Sequence, residues 1–237
     1  MTKCADKVGV RDYVKEKIGD KYLIPCLGIW DKAEDIDFDA LPDKFVLKVN
    51  WGSGQNIIVK NKAELDIIET CSQLNTWLKT EHNHYYNFFE WPYKDIKPKI
   101  IAEKYLDFAA DLLDYKIMCY NGIPKNLFVC AERQSGLKVT FFDLNWKRLP
   151  FIRKYPASKK KIERPKELAE MINIAKVLSE PFPFVRVDFF CHNNHLYVGE
   201  LTFFPGAGLE RFTPNKYDKI MGALLLLPHK SCGPAQI

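Results

Sequence analysis

The chain of 237 residues has no C-x-x-C pair, no arginine-rich tract, no internal repeat and no apolar run of membrane-spanning length. Each absence removes a class of protein. Its seven cysteines, an odd number, lack the paired spacing of a zinc ribbon or a thioredoxin-like centre. They lie mostly in apolar stretches such as Lys116-Ile117-Met118-Cys119-Tyr120 and Phe189-Phe190-Cys191, as reduced, buried thiols of a cytoplasmic protein do. A membrane-spanning helix takes about 20 apolar residues, and residues 223–227 fall far short of that. Met1 to Lys7 contain no apolar signal-peptide core. No integral membrane segment is expected. The formal charge of +5 is slight, suits an anionic small ligand and excludes a nucleic-acid footprint. The densest basic run, Lys159-Lys160-Lys161 with Arg164 and Lys166, reads as a solvated loop.

What is present is a core. Hydrophobic residues make up 47% of the chain, with 16 Phe and 11 Tyr, which argues for strands rather than a helical bundle. The length fits one domain or two closely packed lobes. Phe45-Val46-Leu47-Lys48-Val49 and Ile57-Ile58-Val59 read as strands around a Gly52-Ser53-Gly54 turn. Residues 63–78 carry Leu65, Ile68, Cys71, Leu74 and Leu78 at helical spacing. Strands follow at 100–105 and 115–120, the latter turning at Asn121-Gly122 into 126–130. A second helix opens at Pro165, aligns Leu168, Met171, Ile172, Ala175 and Leu178 and stops before Pro181 and Pro183. A closing hairpin joins 184–190 to 195–201 through Asn193-Asn194. The class is α+β.

Period-two geometry puts Arg186 and Asp188 on one face of their strand, between Phe184 and Phe190. Charged groups in such an enclosed place need a partner or a metal. Glu200 is the second carboxylate, and hairpin register decides whether it meets Asp188. A two-residue loop alone pairs residue 187 with 200; a three-residue loop or a bulge pairs 188 with 200. The odd loop or bulge is predicted, with magnesium relieving the carboxylate repulsion. Lys48, before Gly52-Ser53-Gly54, suits phosphate oxygens approached by backbone N–H groups. The pattern is not a Walker A loop, since the lysine precedes the glycines. An ordinary hairpin turn is the competing reading. His82/His84 and His192/His195 lack the cysteines or carboxylates that complete a zinc set. There is no G-x-S-x-G elbow, and Cys191 and His192 point to opposite strand faces.

In order, Asp6-Lys7, Lys48 with Gly52-Ser53-Gly54, Glu103-Lys104-Tyr105-Leu106, Arg186-x-Asp188 and Glu200-Leu201-Thr202-Phe203-Phe204-Pro205-Gly206 resemble the ATP-grasp superfamily. The chain is most similar to its TupA-like family, associated with teichuronopeptide and capsular polysaccharide biosynthesis, from Asp6 to about Gly222. That stretch includes Asp114-Tyr115-Lys116 and Phe142-Asp143-Leu144-Asn145-Trp146. The resemblance implies an ATP-grasp fold of two α+β lobes clasping ATP. The small lobe covers about 45–103 and the sheet lobe with the metal site 104–222, with the usual N-terminal α/β domain absent or reduced. It implies Lys7 and Lys48 on the ATP phosphates, Gly52, Ser53 and Gly54 closing over them, and Glu103, Lys104 and Leu106 at adenine. Lys147 is a further phosphate contact. Arg186 stabilises the transferred phosphoryl, and Asp188, Glu200 and Thr202 hold Mg2+. Gly206-Ala207-Gly208 would form a backbone nest near the acyl group.

Thr202 stands where superfamily members usually carry Asn, and Trp51 and Gln55 flank the glycine turn where the family pattern has His and Trp. The activity implied is ATP-dependent joining of a small or sugar-linked carboxylate to an amine through an acyl phosphate. Its setting would be bacterial surface polysaccharide assembly, in association with that machinery. An ATP-dependent small-molecule kinase and a nucleotide-binding module without catalysis are the alternatives.

Overall fold

Two antiparallel sheets form the framework of the described residues, 1–107 and 112–227 of a computed structural model. After α1 (Thr2–Ala5) and α2 (Gly9–Ile18), the first sheet gathers β1 (Cys26–Trp30), β2 (Phe45–Val49), β3 (Asn56–Val59) and β4 (Ile100–Lys104) in the order β1-β4-β2-β3. Phe45, Leu47 and Val49 are fully buried, so strand alternation turns Lys48 to the opposite, half-buried face. Between β3 and β4 run α3 (Ile67–Trp77), whose Leu74 packs under the sheet, and the short α4 (His84–Phe88).

Two sequence expectations shift here. The helix begins at Ile67 rather than 63, because the Asp66 side chain accepts the Glu69 N–H and caps it. Residues 62–64 form a separate turn instead, and Ile68, expected on the packed face, is 85% exposed. The first sheet also reaches outside 45–103, since β1 pairs with β4, and Ala33, Ile36, Phe38 and Leu41 enter its core.

The second sheet contains β5 (Asp114–Tyr120), β6 (Ile123–Ala131), β7 (Lys138–Asp143), β9 (Phe184–His192) and β10 (His195–Thr202), ordered β10-β9-β5-β6-β7. A small pair, β8 (Ile152–Arg153) with β11 (Phe212–Thr213), and the helices α5 (Leu168–Ser179) and α6 (Lys216–Gly222) complete the described elements. Asn121 and Gly122 turn β5 into β6 with φ of 50° and 75°, the twist that a two-residue hairpin requires. On one face α5 buries Leu168, Met171, Ala175 and Leu178, with Ile174 in place of the half-buried Ile172. The other face is covered by Phe151, Phe212 and α6. Burial on both sides explains why β5 and β6 read as near-continuous apolar runs.

Cys4, Cys119 and Cys130 are buried, Cys71 and Cys191 half-buried and Cys26 exposed, all as free thiols. Cys232 lies outside the described residues. No described helix is long and apolar enough to cross a membrane.

The N-terminal segment is tied to the first sheet by Asn50, which has no exposed surface. Its amide nitrogen donates to Asp6 Oδ1 at 2.8 Å and to the Lys97 carbonyl at 3.0 Å, while its side-chain oxygen accepts the Lys99 N–H at 2.8 Å. Its carbonyl accepts the Lys7 N–H at 3.1 Å. The chain before α2 is thereby fastened to the end of β2 and the approach to β4. Replacing Asn50 with Leu leaves these buried groups unpaired and is expected to lower unfolding free energy by about 2–3 kcal/mol in urea titrations. Ile68→Lys, at an exposed position, should stay within about 0.5 kcal/mol of wild type.

Candidate functional site

The β9–β10 hairpin has both devices that bear on its register. Its loop has two residues, with His192 paired to His195 and Asn193 and Asn194 at φ of 50° and 60°. Left alone, that loop would send Glu200 to the far face. A bulge at Gly199 moves the pairing by one residue, so Glu200 stands opposite Asp188, Leu201 opposite Val187 and Thr202 opposite Arg186. On the neighbouring strand Lys116 lies across from Asp188 and Met118 across from Arg186.

These residues form one charge cluster. Arg186 grips Asp188 with two bonds of 2.6 Å and reaches Glu200 Oε1 at 3.0 Å and Thr202 Oγ1 at 2.9 Å. Thr202 Oγ1 in turn donates to Glu200 Oε1 at 2.6 Å, and Lys116 Nζ donates to Asp188 Oδ2. Asp188 is 4% exposed, and a buried carboxylate needs such partners. The Glu200 side chain is 47% exposed towards the cleft. Surrounding protein pushes its carboxyl up, but Arg186, Lys116 and Lys7 together hold it down, at about 2.

The N-terminal segment and the first sheet supply the facing wall. Lys7 Nζ donates to the Gly52 carbonyl, and burial lowers its pKa despite nearby Glu200. Lys48 Nζ donates to Glu103 Oε2 at 2.6 Å, while Arg11 on α2 donates to Glu103 Oε1 at 2.9 Å and to the Ile24 carbonyl at 2.7 Å. Both oxygens of Glu103 thus hold cations, and residues 103–106 border the adjoining space. The Gln55 side chain folds over Gly52, in space a Cβ there would take up: such an atom would lie 1.5 Å from Gln55 Oε1, and Gln55 would have to swing away. That oxygen is buried without a hydrogen-bond partner among the described residues. Gly54 has φ of 76°, which favours glycine.

Between these walls lies a cleft of about 250 Å³, lined by Lys7, Arg11, Lys48, the 52–54 turn, Glu103, Lys116, Asp188 and Glu200. It adjoins a slot of about 170 Å³ bounded by Ile24, Val46, Ile58, Lys104 and Leu106, with Lys48 and Glu103 shared. A charged cleft beside an apolar slot has the polarity of a nucleotide, phosphates at one end and base at the other. The hard oxygen donors Asp188 and Glu200 suit Mg2+, which takes one or two carboxylates along with phosphate oxygens.

Lys147 is not part of this space. It is exposed on the turn after β7, the sheet edge farthest from β10, and only its backbone is engaged, with Asp143. Among the described residues no group of three or more His, Cys, Asp or Glu side chains converges as a metal site, and His195 Nε2 pairs with the Lys21 carbonyl at 2.6 Å. Arg11 and Lys116 are site residues that the sequence reading missed. Lys116 carried a signal, since Asp114 and Lys116 alternate with apolar residues in the strand paired to β9. Arg11 carried none.

Two sheets closing on such a cleft define an ATP-grasp fold. The chain belongs to the TupA-like ATPgrasp family, whose model matches residues 1–226. Among solved structures it resembles D-alanine–D-alanine ligase from Bacillus anthracis, at 21% identity and a TM-score of 0.52, covering 92% of this chain and 62% of that one. An L-amino acid ligase from Bacillus licheniformis matches at 15% identity and 0.49, covering 87% and 44%. Phosphoribosylamine–glycine ligase from Thermotoga maritima matches at 12% and 0.47, covering 85% and 48%. At such identities the likeness is one of fold, and the chain spans less than two thirds of each relative's length. No curated protein matches.

The Glu200 carboxyl sits below its ordinary value of 4.5, at about 2, so its contribution is complete above 4.5 and is lost as pH falls from there towards 2. Glu200→Gln should therefore be less stable than wild type at pH 7, by about 1 kcal/mol after allowance for solvent screening. Urea titrations across pH should show that gap holding down to about pH 5 and closing below it.

Proposed function

We propose that the chain is an ATP- and magnesium-dependent carboxylate–amine ligase. The observation that carries this reading is the bulge-set register that brings Asp188, Glu200 and Arg186 together at the cleft. The base would occupy the apolar slot against the 104–106 main chain, and the phosphates would lie along Lys7, Lys48 and the 52–54 turn. Arg11 holds Glu103, and Glu103 holds Lys48 in place. Mg2+ would be held by Asp188 and Glu200, with Thr202 fixing Glu200, and would supply charge neutralisation between the phosphates.

A substrate carboxylate oxygen attacks the γ-phosphorus. The new O–P bond forms as the bond to the β,γ-bridging oxygen breaks and ADP leaves. Arg186 and Lys116 would offset charge on the transferred phosphoryl. The amine nitrogen then attacks the acyl carbon, the C–O bond breaks, and phosphate departs carrying the proton lost by nitrogen. The family resemblance supplies the finer setting: an amino acid or amine joined to a sugar-acid carboxylate in the cytoplasm, for bacterial surface polysaccharide assembly. The lobes would divide near residues 45–103, extended by β1, and 104–222.

Carboxylate oxygen labelled with 18O should appear in released phosphate; ADP release without that transfer would favour a kinase. Glu200→Gln should raise the Mg2+ concentration for half-maximal ADP release by about tenfold or more. An unchanged magnesium dependence would remove Glu200 from the metal set.

A further inference from the structure

The face of the second sheet that carries Asp188 does not end at the charge cluster. Two residues along the strand in each direction from Arg186, its character changes. Asp188 and Lys116 border the cleft on one side, while Phe184 and Tyr120, themselves paired, border a second cavity on the other. The span from residue 188 to 184 is about 13 Å at strand rise. Arg186 therefore stands between the two spaces, with its guanidinium 5.8 Å from the Phe128 ring centre. The Arg153 guanidinium lies 5.3 Å from the same ring.

This second cavity, about 370 Å³, is walled mainly by Met118, Tyr120, Phe184, Phe204, Met221 and Leu225. The ionic groups at its edge are used within the protein. Arg153 pairs with Glu210 at 3.2 Å, and Asp218 accepts the Phe212 N–H at 2.9 Å. Gly208 at its edge closes a turn with Gly206 and Ala207 whose φ values are all between 57° and 72°. A body rich in hydroxyls would leave its polar groups unpaired against such walls, whereas an aliphatic or aromatic group would be desolvated at no such cost.

Position adds the second half of the argument, which rests on the nucleotide placement proposed above. In-line phosphoryl transfer puts the attacking oxygen on the side of the phosphoryl opposite ADP. With the nucleotide in the cleft, that side is the apolar cavity. The amine must approach the same acyl carbon. We infer that one of the two co-substrates carries an apolar body, of leucine to phenylalanine size, seated in the cavity beyond Arg186. The shared chemistry is an amino-acid-sized apolar group next to the reacting centre. It belongs to the amine or to the acid, and the two arms of the test separate these sources.

In the amine arm, ADP release by the full chain with ATP and Mg2+ is measured for leucine, phenylalanine and glycine against glucuronate. In the acid arm, N-acetyl-leucine, N-acetyl-phenylalanine and N-acetyl-glycine are supplied with hydroxylamine, which traps an acyl phosphate. Saturation-transfer NMR with the same six compounds reports binding independently of turnover. One arm should favour the apolar compounds over the glycine compound by about 10–100-fold. Phe204→Glu should abolish that preference without changing ATP affinity, and Val177→Glu, on an exposed position of α5, should leave it intact. Equal treatment of glycine and leucine compounds, a preference that survives Phe204→Glu, or no binding of any apolar compound would each overturn the inference. Apolar binding that is lost in Phe204→Glu, with no ADP released in either arm, would uphold the cavity's role and refute the ligase reading.

Discussion

The buried carboxylate of Asp188 sets the terms for the rest of the structure. At 4% exposure it must be compensated, and its two cations come from different places in the chain: Arg186 from two residues earlier on β9 and Lys116 from β5. Two neighbouring strands, β9 and β5, must therefore hold one register. A slip of one residue would turn every side chain of a strand to the other face. The core guards against that slip, because apolar residues on both faces of β5, β6 and β9 meet packed partners. The charge cluster and the core specify the same alignment.

The N-terminal segment and the first sheet follow a similar rule. Glu103 binds Lys48 from its own sheet and Arg11 from α2, so a carboxylate orients the cations that face the cleft. Asn50 fastens Asp6 and the chain at Lys7 to the end of β2, beside the glycine turn that accepts Lys7 Nζ. Both devices bring the N-terminal segment to the cleft, where its cations join those of the two sheets. Cations held by carboxylates before any ligand arrives, as Arg11, Lys48, Lys116 and Arg186 are, suit an anionic ligand, since the positive groups are already ordered.

Much of this was legible. Short apolar runs at 45–49 and 115–120 and alternation at 184–190 marked strands, and Asn121-Gly122 marked a hairpin, because pattern and turn chemistry are local. The strand reading also put Arg186 and Asp188 on one face. What escaped were features with no local signature. Cys26–Trp30 is an edge strand with exposed and half-buried positions only, so it lacks an apolar period. Ile68 looked like a packed residue until Asp66 set the start of the helix and so its facing. Arg11 is one more cation on an amphipathic helix until folding brings it to Glu103 of β4.

From the sequence alone came the α+β class, the order of the motifs, the family resemblance and the condition that Asp188 and Glu200 can meet only through an odd loop or a bulge. Tertiary structure decided how that condition is met. The loop kept two residues, as two successive asparagines in the left-handed region allow, and the correction fell at Gly199. Local preference governs a turn, whereas the partner of a bulge lies on another strand. The same reason explains why Lys147, adjacent in sequence to Trp146 in a family motif, fell outside the cleft, and Arg11 and Lys116 fell within it. Which charges share a cavity depends on contacts between distant segments, and these are made only when the sheets close.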